Sequence, residues 1–345
     1  MSNQIKLSIC IATLNRADFI ADTLEAIFEQ MEPGVELVVL DGNSSDNTPA
    51  IINDYASIYP YLTYIREEKN SGIDIDYDKA VSHAKGEYCW LMTDDDLLKP
   101  DAIKTVLASL ATSPELTVVN AEVLNADFSK ALDGKLIKIS NNKTYDVNDH
   151  NIFLKEIGHG LSFIGCVVIK RSFWLARDRE EYFGTLFIHA GVILQQPYLE
   201  KINFISEPQI SIRYGNAMWT PRGLEIWLFK WPNLIWSFKG YSDESKSAVC
   251  PTSFIKTLKS LLFYRATGAY GCREFKQFFA PRATLGKKVP LLFVATVPKA
   301  AVNVCASLYC VLTKRTSRMA MYSLNNCGSR NVITKMCARI VGVEN

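Results

Sequence analysis

The sequence predicts an α/β protein built on a Rossmann-like, mostly parallel sheet, followed by a basic helical extension. Three observations predict it. Short apolar runs of strand composition alternate with helically spaced segments over the first 110 residues, and each run ends in polar or acidic residues. Charge is also split along the chain: residues 226–345 hold 18 Lys and Arg against 4 Asp and Glu, net +14, whereas residues 1–225 carry net −12. An α/β domain over 1–225 and a helical, basic, amphipathic region over 226–345 are expected. At 345 residues, 48% hydrophobic and 21% charged, the chain is globular and long enough for both.

Residues 5–12 form the first predicted strand and run into Thr13-Leu14-Asn15-Arg16. Phe19, Ile20, Leu24, Ile27, Phe28 and Met31 recur at helical spacing until Pro33-Gly34 breaks the helix. Glu36–Leu40 reads as a buried strand, and the polar turn Asp41–Thr48 can cap a helix over Pro49–Tyr59. Tyr61–Arg66 is the third strand, and Asn70-Ser71-Gly72 leads to a helix over Asp76–Ala84. The fourth strand lies in Gly86–Met92, apolar and aromatic in its middle, and stops at Thr93-Asp94-Asp95-Asp96. Repeated β-α-β units make such a sheet parallel and place ligands beyond the carboxyl ends of its strands. Asp41 and Asp94–Asp96 stand at such ends. Three carboxylates at the edge of a core repel one another and persist where a cation or ligand neutralises them. In an open loop the same triplet would be a solvated helix cap.

After residue 115 the pattern loosens. Leu116–Val119 and Phe163–Ile169 read as strands, separated by a polar stretch over 125–150 suited to an acceptor-side excursion. Phe187–Tyr198 reads as a buried helix carrying His189, and Gln209–Tyr214 as the last strand. From 226 onward the chain is apolar, aromatic and basic, with Pro232, Pro251 and Pro281 separating helices. Val289–Leu312 is mostly apolar but is interrupted by Pro290, Pro298 and Lys299. A Lys near the middle of a spanning helix costs about 2.5–3.5 kcal/mol on insertion scales. Helices lying in a membrane interface are therefore expected, with Lys287, Lys288, Lys314, Arg315 and Arg318 drawn to anionic lipid. The competing reading is a helical subdomain packed on the sheet or on a second subunit, which would make a homo-oligomer.

Nine scattered cysteines without a C-x-x-C pair suggest reduced thiols, and the polar Met1-Ser2-Asn3-Gln4 is not the start of a signal peptide. The acidic first part excludes a nucleic-acid platform. Neither G-x-x-x-x-G-K nor G-x-G-x-x-G occurs, which argues against an NTPase or a dehydrogenase, and His83, His150 and His159 lack zinc-ligand spacing with the cysteines.

Thr13-Leu14-Asn15-Arg16 after the first strand, Asp41-Gly42-Asn43-Ser44-Ser45-Asp46 after the second and Thr93-Asp94-Asp95-Asp96 after the fourth together resemble a known pattern. The chain resembles the family 2 glycosyltransferases, which have a GT-A fold and use nucleotide-diphosphate sugar donors. The likeness covers residues 5–110 well and extends weakly to 215. It implies an inverting hexosyl transfer that depends on Mn²⁺ or Mg²⁺, because a hard cation on oxygen ligands offsets the charge of a diphosphate leaving group. In the family's pattern the metal-bearing acid falls on Asp95, with Asp94 beside the ribose and Asp96 as a second ligand or an acceptor contact. Asp41 matches the acid that meets the nucleobase; Leu40 stands where relatives often carry another acid. Thr13, Asn15 and Arg16 match the loop lining the nucleotide, although an Arg at a helix start also suits a plain charge pair. Asn70–Lys79 lies where the family closes over the donor and lacks the Arg many relatives place there. Either Lys79 supplies that cation, or Asp74 and Asp76 read sugar hydroxyls, or the segment is simply an acidic helix start. Arg213, Asn216, Trp219 and Arg222 form a basic-aromatic group for the diphosphate or a lipid phosphate.

Transfer by single displacement needs a base for the acceptor hydroxyl. The Glu-Asp pair that the family offers on a late helix is missing here. His189 is the first candidate and Glu181 the second; a lone His in an apolar helix otherwise reads as a hydrogen-bonded core residue. Asp74–Val81 with Ala84–Trp90 looks most similar to the abequosyltransferase-type branch, which adds a deoxyhexose to a lipid-linked bacterial O-antigen unit. A polyprenyl-diphosphate-linked glycan acceptor would account for the basic tail and implies a peripheral place on the cytoplasmic face of the inner membrane. The rival is a non-catalytic sugar-nucleotide-binding or assembly protein with a degenerate site.

Overall fold

Leu7–Thr13 forms β1, buried at all seven positions, and the first half of the sheet is laid down on either side of it. β2 (Val35–Asp41), β3 (Leu62–Arg66) and β4 (Tyr88–Met92) follow, with β2 and β4 flanking β1 in parallel and β3 extending the sheet from β2. The connections are the crossover helices α1 (Ile20–Phe28), α2 (Thr48–Ile58) and α3 (Ile73–His83). A parallel strand needs such a crossover, and the helices cover both faces, so the strands read as continuous apolar runs. The computed structural model describes residues 5–216, 222–313 and 318–344.

Beyond β4 the sheet turns antiparallel. It continues through β5 (Leu97–Leu98), α4 (Ala102–Leu110), β6 (Leu116–Leu124), β7 (Ala131–Asp133), β8 (Lys143–Asp146), α5 (His150–Ile157), β9 (Val167–Lys170), α6 (Arg171–Ala176), α7 (Ile188–Leu194) and β10 (Lys201–Arg213). β9 lies between β4 and β6, antiparallel to both, and β10 pairs antiparallel with β5 and β8. The order β3-β2-β1-β4-β9-β6-β10-β5 puts β4 near the centre, which is why every β4 side chain is buried. Some expected boundaries move. Phe163–Ile169 yields only three strand residues, Val167–Ile169, because Ile164–Cys166 winds as a 3₁₀ turn, and the polar stretch over 125–150 contains β7 and β8. The helix expected through Tyr198 stops at Leu194, and the last strand begins eight residues earlier than its apolar run, at Lys201.

The chain divides into two compact units, and the division is not one cut at residue 225. The first comprises the chain up to Val123, Gly134–Arg213 and Leu234–Val249; the second comprises Leu124–Asp133, Tyr214–Asn233 and the chain from Cys250. Residues 234–249 join the first unit because Asn151 on α5 accepts hydrogen bonds from Ser242 N (2.7 Å) and Ser245 Oγ (3.0 Å). In the later part of the chain α8 (Gly223–Glu225) runs through a π turn into α9 (Trp231–Ser237), and α10 (Asp243–Val249) follows. α11 (Phe254–Thr267), α12 (Cys272–Glu274), α13 (Leu285–Thr296), α14 (Lys299–Leu312), α15 (Arg318–Asn325) and α16 (Val332–Val341) complete the second unit, whose core includes Leu261, Tyr270, Phe279 and Leu291. Val289–Leu312 is thus parts of two helices, bent by 92° at their break. Among the described residues no single helix is long and apolar enough to cross a membrane.

Candidate active site

The parallel strands β1, β2 and β4 deliver their following loops to one edge. Thr13 stands opposite Asp41 in register, and Gly42 N donates to Thr13 O at 2.9 Å, so the first two loops leave the sheet together. Asn15, in the left-handed region at φ 54°, laces them: its N donates to Ser44 Oγ (2.8 Å) and its Oδ1 accepts from Ser45 N (2.8 Å). Arg16 N donates to Thr48 Oγ1 at 2.8 Å, tying the first loop to the start of α2.

Arg16 then turns its guanidinium onto the acidic turn after β4. Nε donates to Asp94 Oδ1 at 3.2 Å, and Nη2 is ion-paired with Asp95 Oδ2. Arg213, at the end of β10, closes the other side: its backbone N donates to Asp96 Oδ1 (2.7 Å), Nε to Asp95 O (2.9 Å), and Nη2 to Asp22 Oδ2 (2.6 Å). Both guanidiniums lie over the Phe19 ring, at 4.8 and 5.2 Å from its centre, a favourable cation–π arrangement that holds them in place. Burial and then repulsion from Asp95 push the Asp94 carboxyl up to about 6, against the pull of Arg16 and Thr13. Burial and Asp95 likewise hold Asp96 well above the ordinary carboxylate range. The triplet is under the electrostatic stress expected of it, and two arginines relieve part of that stress.

Several expected roles are revised by this geometry. Asp96 is buried, with Oδ1 accepting from Arg213 N and Oδ2 from Thr93 Oγ1; it anchors β10 to the turn and does not present itself to a cation or an acceptor. Asp41 is fully buried, accepting from Ser44 N (2.7 Å) and Tyr64 OH (2.8 Å), so it shapes the 42–46 loop from beneath and does not itself reach a base. Asp74 accepts from Leu186 N (2.8 Å) and Ile188 N (3.1 Å), which makes it a brace for the start of α7 and no reader of sugar hydroxyls. Lys79 is half-buried and ion-paired with Glu67. Asp76 is buried behind Gly42, accepts from Ser71 Oγ at 2.7 Å, and burial raises its carboxyl. A Cβ on Gly42 would lie 2.8 Å from Asp76 Oδ2, so glycine lets the 42–46 loop pack closely on Asp76.

Neither expected base is at this edge. His189 is buried in α7, its Nε2 is 2.8 Å from Leu161 O, and burial lowers its pKa to about 4; it is the core histidine of the blander reading. Glu181 stands exposed on a 3₁₀ turn, outside the hydrogen-bond network of the acidic turn. Arg222 pairs locally with Glu225, and Trp219 lies outside the described residues. Reading the sequence missed Phe19, Asp22 and Tyr64. The first two sit on the turn after Arg16 at i, i+3 spacing, a signal that an Arg followed by an aromatic and an acid does carry.

The donor chemistry suits a hard cation of limited protein coordination. Among the described residues no three His, Cys, Asp or Glu side chains converge as a metal cage. What the turn offers is oxygen ligation from Asp95 and its neighbour Asp94. Mg²⁺-like ions keep waters and bind through one or two carboxylates plus substrate phosphates, so this set fits them and leaves the remaining positions to a ligand.

An open α/β sheet whose acidic loops gather at the carboxyl ends of its parallel strands belongs to a class of folds that bind ligands beyond those ends. Residues 8–163 match the model described as Glycosyl transferase family 2. Abequosyltransferase RfbV of Salmonella typhimurium is 25% identical over 63% of this chain and 69% of its own length. Putative teichuronic acid biosynthesis glycosyltransferase TuaG of Bacillus subtilis is 28% identical over 41% of this chain, which spans only 55% of that relative. Among solved structures, Staphylococcus aureus TarS 1–349 is similar over 93% of this chain and 90% of its own, with a TM-score of 0.53 and 15% identity. The mannosyltransferase PcManGT of Pyrobaculum calidifontis, solved with GDP-Man and Mn²⁺, is similar over 92% of this chain and 85% of its own, with a TM-score of 0.51 and 17% identity. At those identities the structures establish the fold alone, and the fold is GT-A-like.

Proposed function

We propose that this chain is an inverting, metal-dependent glycosyltransferase that moves a hexose or deoxyhexose from a nucleotide-diphosphate sugar to a lipid-linked glycan in bacterial surface polysaccharide synthesis, at the cytoplasmic face of the inner membrane. Abequosyl transfer is the specific reaction favoured, on the similarity to RfbV across most of both chains. The single observation that carries the enzymatic reading is the buried acidic turn at the carboxyl end of β4, clamped by Arg16 and Arg213. Carboxylates packed so closely are costly in a protein with no cation to bind among them.

Asp95, with Asp94 beside it, would hold Mn²⁺ or Mg²⁺; bound there, the ion offsets the negative charge of the departing nucleoside diphosphate. The protein's own residues do the rest. Arg16 keeps both carboxylates oriented before the donor arrives, the laced loops 13–16 and 42–46 line the nucleoside, and Asp41 holds the second loop in shape through Ser44.

A second reading has one observation in its favour. α7, the late helix on which a base was sought, is buried along its whole length and bears no carboxylate, as a sugar-nucleotide-binding protein without turnover would allow. Incubation with labelled nucleotide sugars and extracted lipid-linked glycan separates the two. The enzymatic reading expects transfer, a reversible loss on chelation, and at least a hundredfold drop in Asp95→Ala with an unchanged thermal melt. A folded Asp95→Ala of full activity would sink it, and nucleotide binding without any turnover would favour the second reading.

A further inference from the structure

We infer that α14 and α16, with the exposed side of α13, form a docking surface for an anionic lipid bilayer. α14 is built inside out. Its buried line is Asn303, Ser307 and Cys310, whereas Leu308, Tyr309 and Leu312 face outward, Leu312 at 84% exposure. A helix on a water-facing surface shows the opposite arrangement. The inward polar face is joined to its neighbours: Asn303 Nδ2 donates to Ala266 O at 3.2 Å, and its Oδ1 accepts from Asn331 Nδ2 at 3.4 Å and from Thr334 Oγ1 on α16. α16 repeats the pattern, with Thr334, Cys337 and Ala338 inside and Val332 (73% exposed), Ile333, Met336 and Ile340 outside. On α13, Leu285 (81% exposed), Val289 and Phe293 are likewise uncovered. Small and polar residues joining helices, with large apolar residues turned outward, is how helices pack when their surroundings are themselves apolar.

Charge and length choose the occupant. Residues 285–343 contain nine Lys and Arg and not one Asp or Glu; Lys287, Lys299 and Lys335 are exposed among the apolar side chains, and Arg339 is exposed but paired with Glu344. A second copy of the same face would set like charges against each other, whereas anionic headgroups complement them. The twelve residues of α13 and fourteen of α14 rise only about 18 and 21 Å, short of the roughly 30 Å of a hydrocarbon core, and they meet at 92°. Such helices lie at the boundary of headgroups and acyl chains, apolar sides inward.

The proposal does not depend on the donor or acceptor, and its test leaves them aside. The full chain is sedimented with vesicles of phosphatidylcholine alone and with about one third phosphatidylglycerol, at low and high salt. Binding tighter by roughly tenfold or more to the anionic vesicles is expected, weakening with salt. The double variant L312E/V332E should lose that binding while its circular dichroism and its thermal shift with nucleotide stay unchanged, since both side chains are exposed. As a measurement without mutation, alkylation of the exposed Cys305 on α14 should slow when anionic vesicles are added. The proposal is overturned if the chain ignores both vesicle types, if the variant binds as well as the parent, or if Cys305 stays equally reactive. It is also overturned if light scattering finds a dimer that L312E/V332E takes apart, because a second copy would then own the face.

Discussion

Arg16 is the residue on which the edge of the sheet turns. It satisfies a backbone contact to α2 and neutralises two carboxylates of one turn, so it stands in for positive charge before any ligand arrives. Removing one partner of a buried ion pair leaves an uncompensated charge and costs about 3–5 kcal/mol. Arg16→Gln should therefore lower the melting temperature, and added Mn²⁺ should recover more of the loss than it adds to the parent; an equal Mn²⁺ response in both would contradict the pairing seen here. His189 makes the opposite case. Burial depresses its pKa to about 4, below the ordinary value of 6.5, so the unfolded chain binds the extra proton first as pH falls. Stability from this residue is present above about 6.5 and is lost as pH drops toward 4. Between pH 7 and 5 the parent should lose roughly 1–2 kcal/mol that His189→Gln does not, read from denaturant melts at the two pH values. If transfer activity collapsed in His189→Gln while stability held, the core assignment would be wrong.

At the scale of elements, the acids of α3 divide by what they touch. Asp74 braces the entry to α7, where Leu186 is held at φ 72°, a conformation costly for a branched side chain without support. Asp74→Ala strands the buried N–H of Ile188 and the half-buried one of Leu186 and should cost about 2 kcal/mol or more, whereas Lys79→Ala breaks a half-exposed pair with Glu67 and should cost under about 1 kcal/mol. Equal losses in chemical denaturation would refute that division. Sequence pattern made the two residues look alike, since both lie in an acidic helix start. Only the packing of α7 against α3 separates a brace from a surface charge.

For the whole molecule, the two units alter how the basic region can be tested. α14 contributes Asn303 to the hydrogen bonds that join α11, α15 and α16, so deleting residues beyond Thr284 removes the inside of its unit as well as its surface. Such a truncation should aggregate or lose the melt of that unit, which is why outward substitutions such as L312E are the cleaner probe. None of the nine cysteines forms a disulfide in this structure. Dithiothreitol should leave the melting temperature unchanged, and a shift of more than about 2 °C would mean that a bridge forms in the purified protein.

The amino-acid sequence by itself determined the alternation of strands and crossover helices, the loops at their carboxyl ends and the acidic turn after β4, because these depend on local periodicity, turn chemistry and order along the chain. It also marked the basic, apolar character of the C-terminal region. The tertiary structure alone decided which carboxylates are held inside the protein. Asp41, Asp74 and Asp96 are spent on backbone amides and hydroxyls from segments up to 117 residues away, and no local pattern announces such a partner. The same holds for α14, whose composition is that of any buried helix: which side is inward depends on what Asn303 can bond to, and that is settled only when distant helices pack.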